Sequence, residues 1–110
     1  MTEELKNRIE NVNKVHMHSD FCAALNALYE RKNADYGDSF GKSFAEYGMT
    51  MACIRLEDKL NRIKSLSTKD VQVKDESITD TLMDLANYAI MTLIEISNAK
   101  AQEAEAHGKD

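Results

Sequence analysis

Acidic side chains recur one helical turn apart in the C-terminal half of the chain. With Glu76 placed at zero and about 100° added per residue, Asp80 falls at about 40° and Asp84 at about 80°. Asn87 falls on the same face, at about 20°. Carboxylates spaced in this way can reach one point beside the helix. Because Mg²⁺ prefers oxygen ligands, usually one or two carboxylates with waters and a substrate phosphate, the spacing predicts a Mg²⁺ site.

The alternative interpretation of these acids is an ordinary solvated face. Like charges four residues apart repel by about 0.2–0.5 kcal/mol per pair, and the acidic face leads into apolar residues, namely Met83, Ile90, Met91 and Ile94. Both observations weaken the alternative. The main apolar arc of this helix is predicted at Ile78, Leu82, Leu85, Ala89 and Leu93, and the solvent side at Ser77, Thr81, Thr92 and Glu95.

A second charged segment precedes the acids by about two dozen residues. On a helix, Asp58 lies with Arg55 and Arg62 beside the apolar arc, and Lys59 lies on the other edge of that arc. In one interpretation Asp58 holds a metal ion or a water while the cations face phosphate. In the other, Asp58 and Arg62 form a surface ion pair worth about 0.3–0.5 kcal/mol. Spacing leaves both open.

The segment Asn33–Gly41 is predicted to be the main loop, since it is rich in Asn, Asp and Gly. It could serve backbone geometry alone, with Tyr36 and Phe40 anchoring it to the core. Alternatively it forms part of a nucleotide pocket, in which Asn33 bonds a base, Tyr36 or Phe40 stacks on it and flanking lysines such as Lys32 add positive charge.

Helical periodicity dominates the rest of the chain, which contains no proline and 4 glycines. A hydroxyl cap at Thr2 precedes an apolar stripe that either breaks at 16–20 or continues as one helix. Further helices are predicted from Phe44 to about Leu66 and from about Glu76 to Ala99, with a short connection over 71–75 and a frayed tail over 100–110. We expect one all-α domain over residues 1–110, a four-helix bundle of antiparallel helices.

The net charge of -5 argues against general nucleic-acid binding and against an anionic membrane surface. No apolar run approaches the roughly 18 residues of a membrane span, and the start of the chain lacks the pattern of a signal peptide. We therefore expect a cytoplasmic protein.

Three ordered motifs resemble the nucleotide modification associated domain family, a former domain of unknown function common in phages and bacteria. They are Lys32-Asn33-x-Asp35-Tyr36-Gly37-x-Ser39-Phe40, Arg55-Leu56-x-Asp58-Lys59-Leu60-x-Arg62, and Glu76-Ser77-Ile78-x-Asp80-Thr81-Leu82-x-Asp84-Leu85-Ala86-Asn87-Tyr88. The resemblance covers about residues 21–97. That family is in turn similar to the MazG-like all-α nucleoside triphosphate pyrophosphohydrolases.

The resemblance implies a MazG-like four-helix fold in homodimers or homotetramers, and Mg²⁺ held by acids on two helices. It also implies cleavage of a nucleoside triphosphate between the α- and β-phosphates, in the host cytoplasm if the protein is phage-encoded. Asp84 and Asp80 match the family's late acids. MazG-like enzymes pair acids three residues apart, whereas Thr81 precedes Asp84 by three and Asn61 follows Asp58 by three, so the four-acid pattern is incomplete.

Two functions therefore stay open. The first is a Mg²⁺-dependent nucleoside triphosphate pyrophosphohydrolase with catalytic Asp58, Asp80 and Asp84. In it the metal ligands are Asp58, Glu76, Asp80 and Asp84, and the substrate-binding residues are Lys32, Asn33, Tyr36, Lys59, Arg62 and Asn87. The second is a non-catalytic nucleotide-binding or protein-interaction module, for example a phage regulator of a host factor. The stretch 89–96 carries apolar residues well beyond the main apolar arc, more than one small core needs, which favours an oligomer interface.

Overall fold

The computed structural model describes residues 1–68 and 71–108, with side chains from residue 78 onward in the second range. Over these ranges the chain forms four α-helices and no strand, which confirms the all-α class. They are α1 (Glu3–Tyr36), α2 (Ser39–Tyr47), α3 (Met49–Leu66) and α4 (Val71–Gly108). The side chain of Glu76, a predicted metal ligand, lies outside the described residues.

The fourth helix is longer at both ends than its apolar periodicity predicts. It begins at Val71, where a short connection was expected, and it continues to Gly108, past the tail expected to fray from residue 100. The tail, Ala-rich with Lys and Glu, consists of residues that lose little side-chain freedom in a helix. Helix propensity therefore extends α4 beyond the part that has an apolar face.

The chain divides into two compact units, residues Met1–Gly37 and the remainder from Asp38. The first unit is α1, which starts where Thr2 Oγ1 accepts the Leu5 N–H at 3.2 Å and runs unbroken through residues 16–20. No residue of α1 is buried. The single domain predicted over 1–110 and the antiparallel packing of all four helices stay predictions.

Two glycines end helices by adopting backbone angles that other residues avoid. Gly37 and Gly48 both have φ of 67°, with ψ of -162° and -153°, a region essentially restricted to glycine. Their N–H groups donate to Asn33 O at 2.8 Å and Phe44 O at 2.7 Å. The loop predicted over Asn33–Gly41 is thereby reduced to Gly37 and Asp38, and Gly48 adds a break that the periodicity did not predict.

The core of the second unit joins α2, α3 and α4. Phe40, Met51 and Ala52 are buried, and half-buried Phe44, Tyr88 and Met91 pack against them. The Phe40 ring stacks on Phe44 and on Tyr88, with centroids 6.5 Å and 5.8 Å apart. The short helix α2 thus supports Tyr88, a residue that lies at the edge of the site described below.

The face that α4 buries is not the one predicted from hydropathy. Thr81 is 2% exposed and Thr92 6% exposed, so the predicted solvent side is wrong at both positions. Conversely, Leu82 and Leu93, in the predicted apolar arc, are exposed, Leu93 at 63%. Polar residues occupy the buried face because they bond: Thr92 Oγ1 donates to Tyr88 O at 2.7 Å, and Thr81 accepts from α3.

Over the described helices, none combines the length and apolar character needed to cross a membrane.

Candidate functional site

An ion pair joins α3 to α4 in the second unit. Lys59 Nζ donates to Asp84 Oδ2 at 3.1 Å, and each side chain is 25% exposed. The same ammonium lies 5.8 Å from the centroid of the Tyr88 ring, within the range of a cation–π contact. Contacts with Asp84 and Tyr88, both on α4, thus hold the Lys59 charge in a defined place.

A second contact between α3 and α4 lies one turn further along α3. Arg62 Nε donates to the buried Thr81 Oγ1 at 3.3 Å. Within residues 1–68 and 78–108, Asp58 and Arg62 do not form the ion pair that was the alternative interpretation of their spacing. The bond to Thr81 uses only one of the five N–H donors of a guanidinium. Arg62 is exposed, so its terminal N–H groups can meet a ligand.

These contacts lie at the wall of a cleft of about 420 Å³. It is lined by Arg55, Asp58, Lys59, Arg62 and Tyr88. At about 100° per residue, the four charged residues fall within about 100° of arc, so they share one side of α3. Three cations against one carboxylate make the cleft an attractive place for an anion, although Asp84 offsets part of the Lys59 charge. We refer to it as the charged cleft.

A neighbouring cleft of about 490 Å³ shares Arg55 and Asp58 with the charged cleft. Its remaining lining residues are Tyr47, Thr50, Met51 and Ile54. These residues come from the end of α2 and the first turns of α3, and most of their lining surface is aromatic or aliphatic. We refer to it as the apolar cleft.

The predicted acidic stripe is divided by the way α4 packs. Asp84 faces α3 and pairs with Lys59, while Asp80, one turn earlier, is exposed. In the described part of the chain, no three His, Cys, Asp or Glu side chains gather where they could hold a metal ion. Asp58, Asp80 and Asp84 therefore form no three-carboxylate cage there, because the buried face of α4 is centred nearer Asp84 than Asp80.

The remaining predicted ligand-binding residues fall in different surroundings. Lys32, Asn33 and Tyr36 lie in the last two turns of α1, in the first unit, where Asn33 O accepts the Gly37 N–H and Tyr36 is exposed. Asn87 is buried on α4 and faces the protein interior.

Tyr88 and the residues that line only the apolar cleft were not predicted as ligand-binding residues; the latter are Tyr47, Thr50, Met51 and Ile54. Tyr88 follows Asp84 by one helical turn, so its spacing alone could have placed both beside Lys59. The apolar cleft was harder to predict from the sequence, because Tyr47 lies at the end of α2, on the other side of the helix break at Gly48 from the α3 residues of the cleft.

The described chain is thus a small all-α protein whose charged cleft is lined by residues of α3 and by Tyr88 of α4. Comparison with protein families goes further: residues 32–96 match the model described as Nucleotide modification associated domain 1, and the chain belongs to this family. The matched range contains α2, α3 and every residue of both clefts. No curated protein and no solved structure matches the chain.

Proposed function

We propose that the protein binds a nucleotide through its phosphate groups in the charged cleft. The observation that carries the proposal is the grouping of Arg55, Lys59 and Arg62 around one cleft. Guanidinium groups bind phosphate through two parallel N–H bonds, and a lysine adds a compact charge. The family description, which associates the domain with nucleotide modification, supports a nucleotide over other phosphates.

Charge also favours a small ligand over a nucleic acid. The chain carries a net charge of -5, so its surface as a whole repels a long polyanion, whereas the cleft concentrates positive charge locally. A nucleoside triphosphate fits this distribution, and the cytoplasmic location expected from composition belongs to the same proposal.

Asp58 supports a role for Mg²⁺ that arrives with the nucleotide. Its carboxylate lines the charged cleft, and in the part of the chain described it has no ion-pair partner. Mg²⁺ commonly binds one or two carboxylates together with substrate phosphates and waters, and the residues present fit that arrangement rather than an all-protein cage. Asp58 would hold the cation, with Asp80, Asp84 and Glu76 as further candidate ligands.

Pyrophosphohydrolysis in the manner of MazG-like enzymes is the reaction we propose for such a site. Water would add to the α-phosphorus while the bond from that phosphorus to the bridging oxygen breaks, yielding a monophosphate and pyrophosphate. Bound Mg²⁺ supplies neutralisation of the triphosphate charge. Arg55 and Arg62 would stabilise the charge on the leaving pyrophosphate, and Asp58 would orient the water.

Titration of purified protein with a panel of nucleoside triphosphates and Mg²⁺ tests the binding step. We expect Arg62→Gln to lower affinity by about tenfold, the value of one charge-assisted phosphate contact. Lys64→Gln is the matched control, because Lys64 is exposed on the same helix and lines neither cleft. Absence of binding in the unmodified protein, or equal losses in the two variants, would refute the phosphate site.

Pyrophosphate release tests the reaction separately from binding. Asp58→Asn should abolish release, whereas Glu57→Gln, at an exposed neighbouring position, should leave it unchanged. Tight binding of a nucleotide that is recovered intact from the unmodified protein would favour the second function, a non-catalytic nucleotide-binding module.

Self-association is also part of the proposal. Exposed apolar side chains on α4 support it, since contiguous apolar surface commonly marks an interaction site. They are Leu82, Ile90, Leu93 and Ile94. A homodimer or homotetramer would cover this face.

A further inference from the structure

The two clefts follow one side of α3. Met51 lines the apolar cleft, Arg62 lines the charged cleft, and Arg55 and Asp58 line both. Because α-helices rise about 1.5 Å per residue, Met51 and Arg62, eleven positions apart, are separated by about 16 Å along the helix. An elongated ligand with an apolar end and an anionic end would match this change of character along the helix.

The apolar cleft has features suited to a nucleobase. Tyr47 is 63% exposed and Ile54 is 54% exposed, so an aromatic face and an aliphatic side chain are available beside the nearly buried Met51. Bases stack readily on aromatic side chains. The Thr50 hydroxyl, which can donate and accept hydrogen bonds, adds one polar group to this wall.

We propose that a nucleoside 5′-polyphosphate lies along α3, with its base and sugar in the apolar cleft and its phosphates in the charged cleft. The inference rests on the proposed phosphate site and adds the position and orientation of the nucleoside. It assigns base contacts to Tyr47, Thr50 and Ile54 rather than to Asn33 and Tyr36, which the sequence suggested. Arg55 and Asp58, shared by both clefts, lie at the junction of sugar and phosphate.

Two ligands separate the nucleoside contacts from the phosphate contacts. The first is the tightest-binding of the four common nucleoside triphosphates, and the second is inorganic tripolyphosphate, which has no base; both are titrated with Mg²⁺. Since stacking of one base contributes about 1–3 kcal/mol, the unmodified protein should bind the nucleotide at least about fivefold more tightly than tripolyphosphate.

The variant Tyr47→Ala/Ile54→Ser should then lose about tenfold in nucleotide affinity while its tripolyphosphate affinity stays unchanged. Leu60→Ser is the matched control, because Leu60 is an exposed apolar residue of α3 that lines neither cleft, and it should change neither affinity. Circular dichroism melting checks that each variant is folded, and the single variant Tyr47→Ala replaces the double one if that protein unfolds.

Four results would overturn the inference. The nucleoside position is contradicted, and the phosphate site left intact, if the unmodified protein binds both ligands with equal affinity. The same holds if the double variant loses affinity for both ligands equally. Unchanged nucleotide affinity in the double variant also contradicts the nucleoside position. If the unmodified protein binds neither ligand, the proposed function is wrong and the nucleoside position falls with it.

Discussion

Lys59 and Asp84 are 25 residues apart in the chain, yet their side chains meet at 3.1 Å. Each is three-quarters removed from water, and the ammonium lies against the Tyr88 ring. The pair therefore connects α3 to α4 at the wall of the charged cleft. Because a mostly buried charge is costly without its partner, this contact links the stability of the fold to the electrostatics of the site.

Breaking the pair should destabilise the protein. Asp84→Asn or Lys59→Gln removes the ion pair between two side chains that are each only 25% exposed, and we expect a loss of about 1–3 kcal/mol in the free energy of unfolding. Urea denaturation measures it. The variant Glu4→Gln is the control: the Glu4–Arg8 pair on α1 has side chains 77% and 73% exposed, and its loss should cost less than about 1 kcal/mol. Similar effects at both pairs would contradict the importance given to burial.

Replacing Gly48 should weaken the second unit through its backbone. A Cβ at this position meets no atom within 4 Å, so space is not the obstacle. The obstacle is the backbone conformation, with φ of 67° and ψ of -153°. Gly48→Ala should therefore lower the free energy of unfolding by about 1–3 kcal/mol. Thermal unfolding of this variant beside Gly108→Ala, where no positive φ is present, measures the difference. Equal melting temperatures would show that the junction of α2 and α3 tolerates other angles.

The cap of α2 offers a test of how firmly this short helix is held. Asp38 Oδ1 accepts the Gly41 N–H at 3.1 Å. Asp38→Ala should lower the free energy of unfolding by about 0.5–2 kcal/mol, whereas Asp38→Asn, which can still accept this bond, should lose much less. Gly41→Ala should destabilise too, because its Cβ would displace the Asp38 carboxylate from its capping position. The exposed Lys42 provides the control Lys42→Ala. Chemical denaturation ranks the four variants by their free energy of unfolding. If Asp38→Ala is as stable as the unmodified protein, Asp38 has no capping role.

A charge on the exposed apolar face of α4 should change the oligomeric state. Leu93 is 63% exposed, and a carboxylate there would oppose burial against a second copy of the chain. We expect Leu93→Glu to shift a dimer or tetramer toward smaller species in analytical ultracentrifugation. Asn98→Glu, at an exposed polar position of the same helix, should have no effect. A monomeric unmodified protein at all concentrations would contradict the proposed self-association.

Much of the architecture is predictable from local pattern. Apolar residues at three- and four-residue spacing, with no proline to interrupt them, predict helices throughout, and the all-α class follows. The same spacing places Arg55, Asp58 and Arg62 on one side of a helix, which is where the charged cleft lies. Helix ends were harder to predict, because Gly48 interrupts the helix within a continuous apolar pattern.

The sequence by itself determined the helical class, the family to which the chain belongs and the charged segments that form the site. Only the tertiary structure decided which face of α4 meets α3. Hydropathy predicts that polar residues face solvent. Thr81 is nevertheless buried and Asp84 half-buried, because they bond to Arg62 and Lys59 on α3. Such bonds depend on the register of two helices packed together, and a single helix cannot reveal that register.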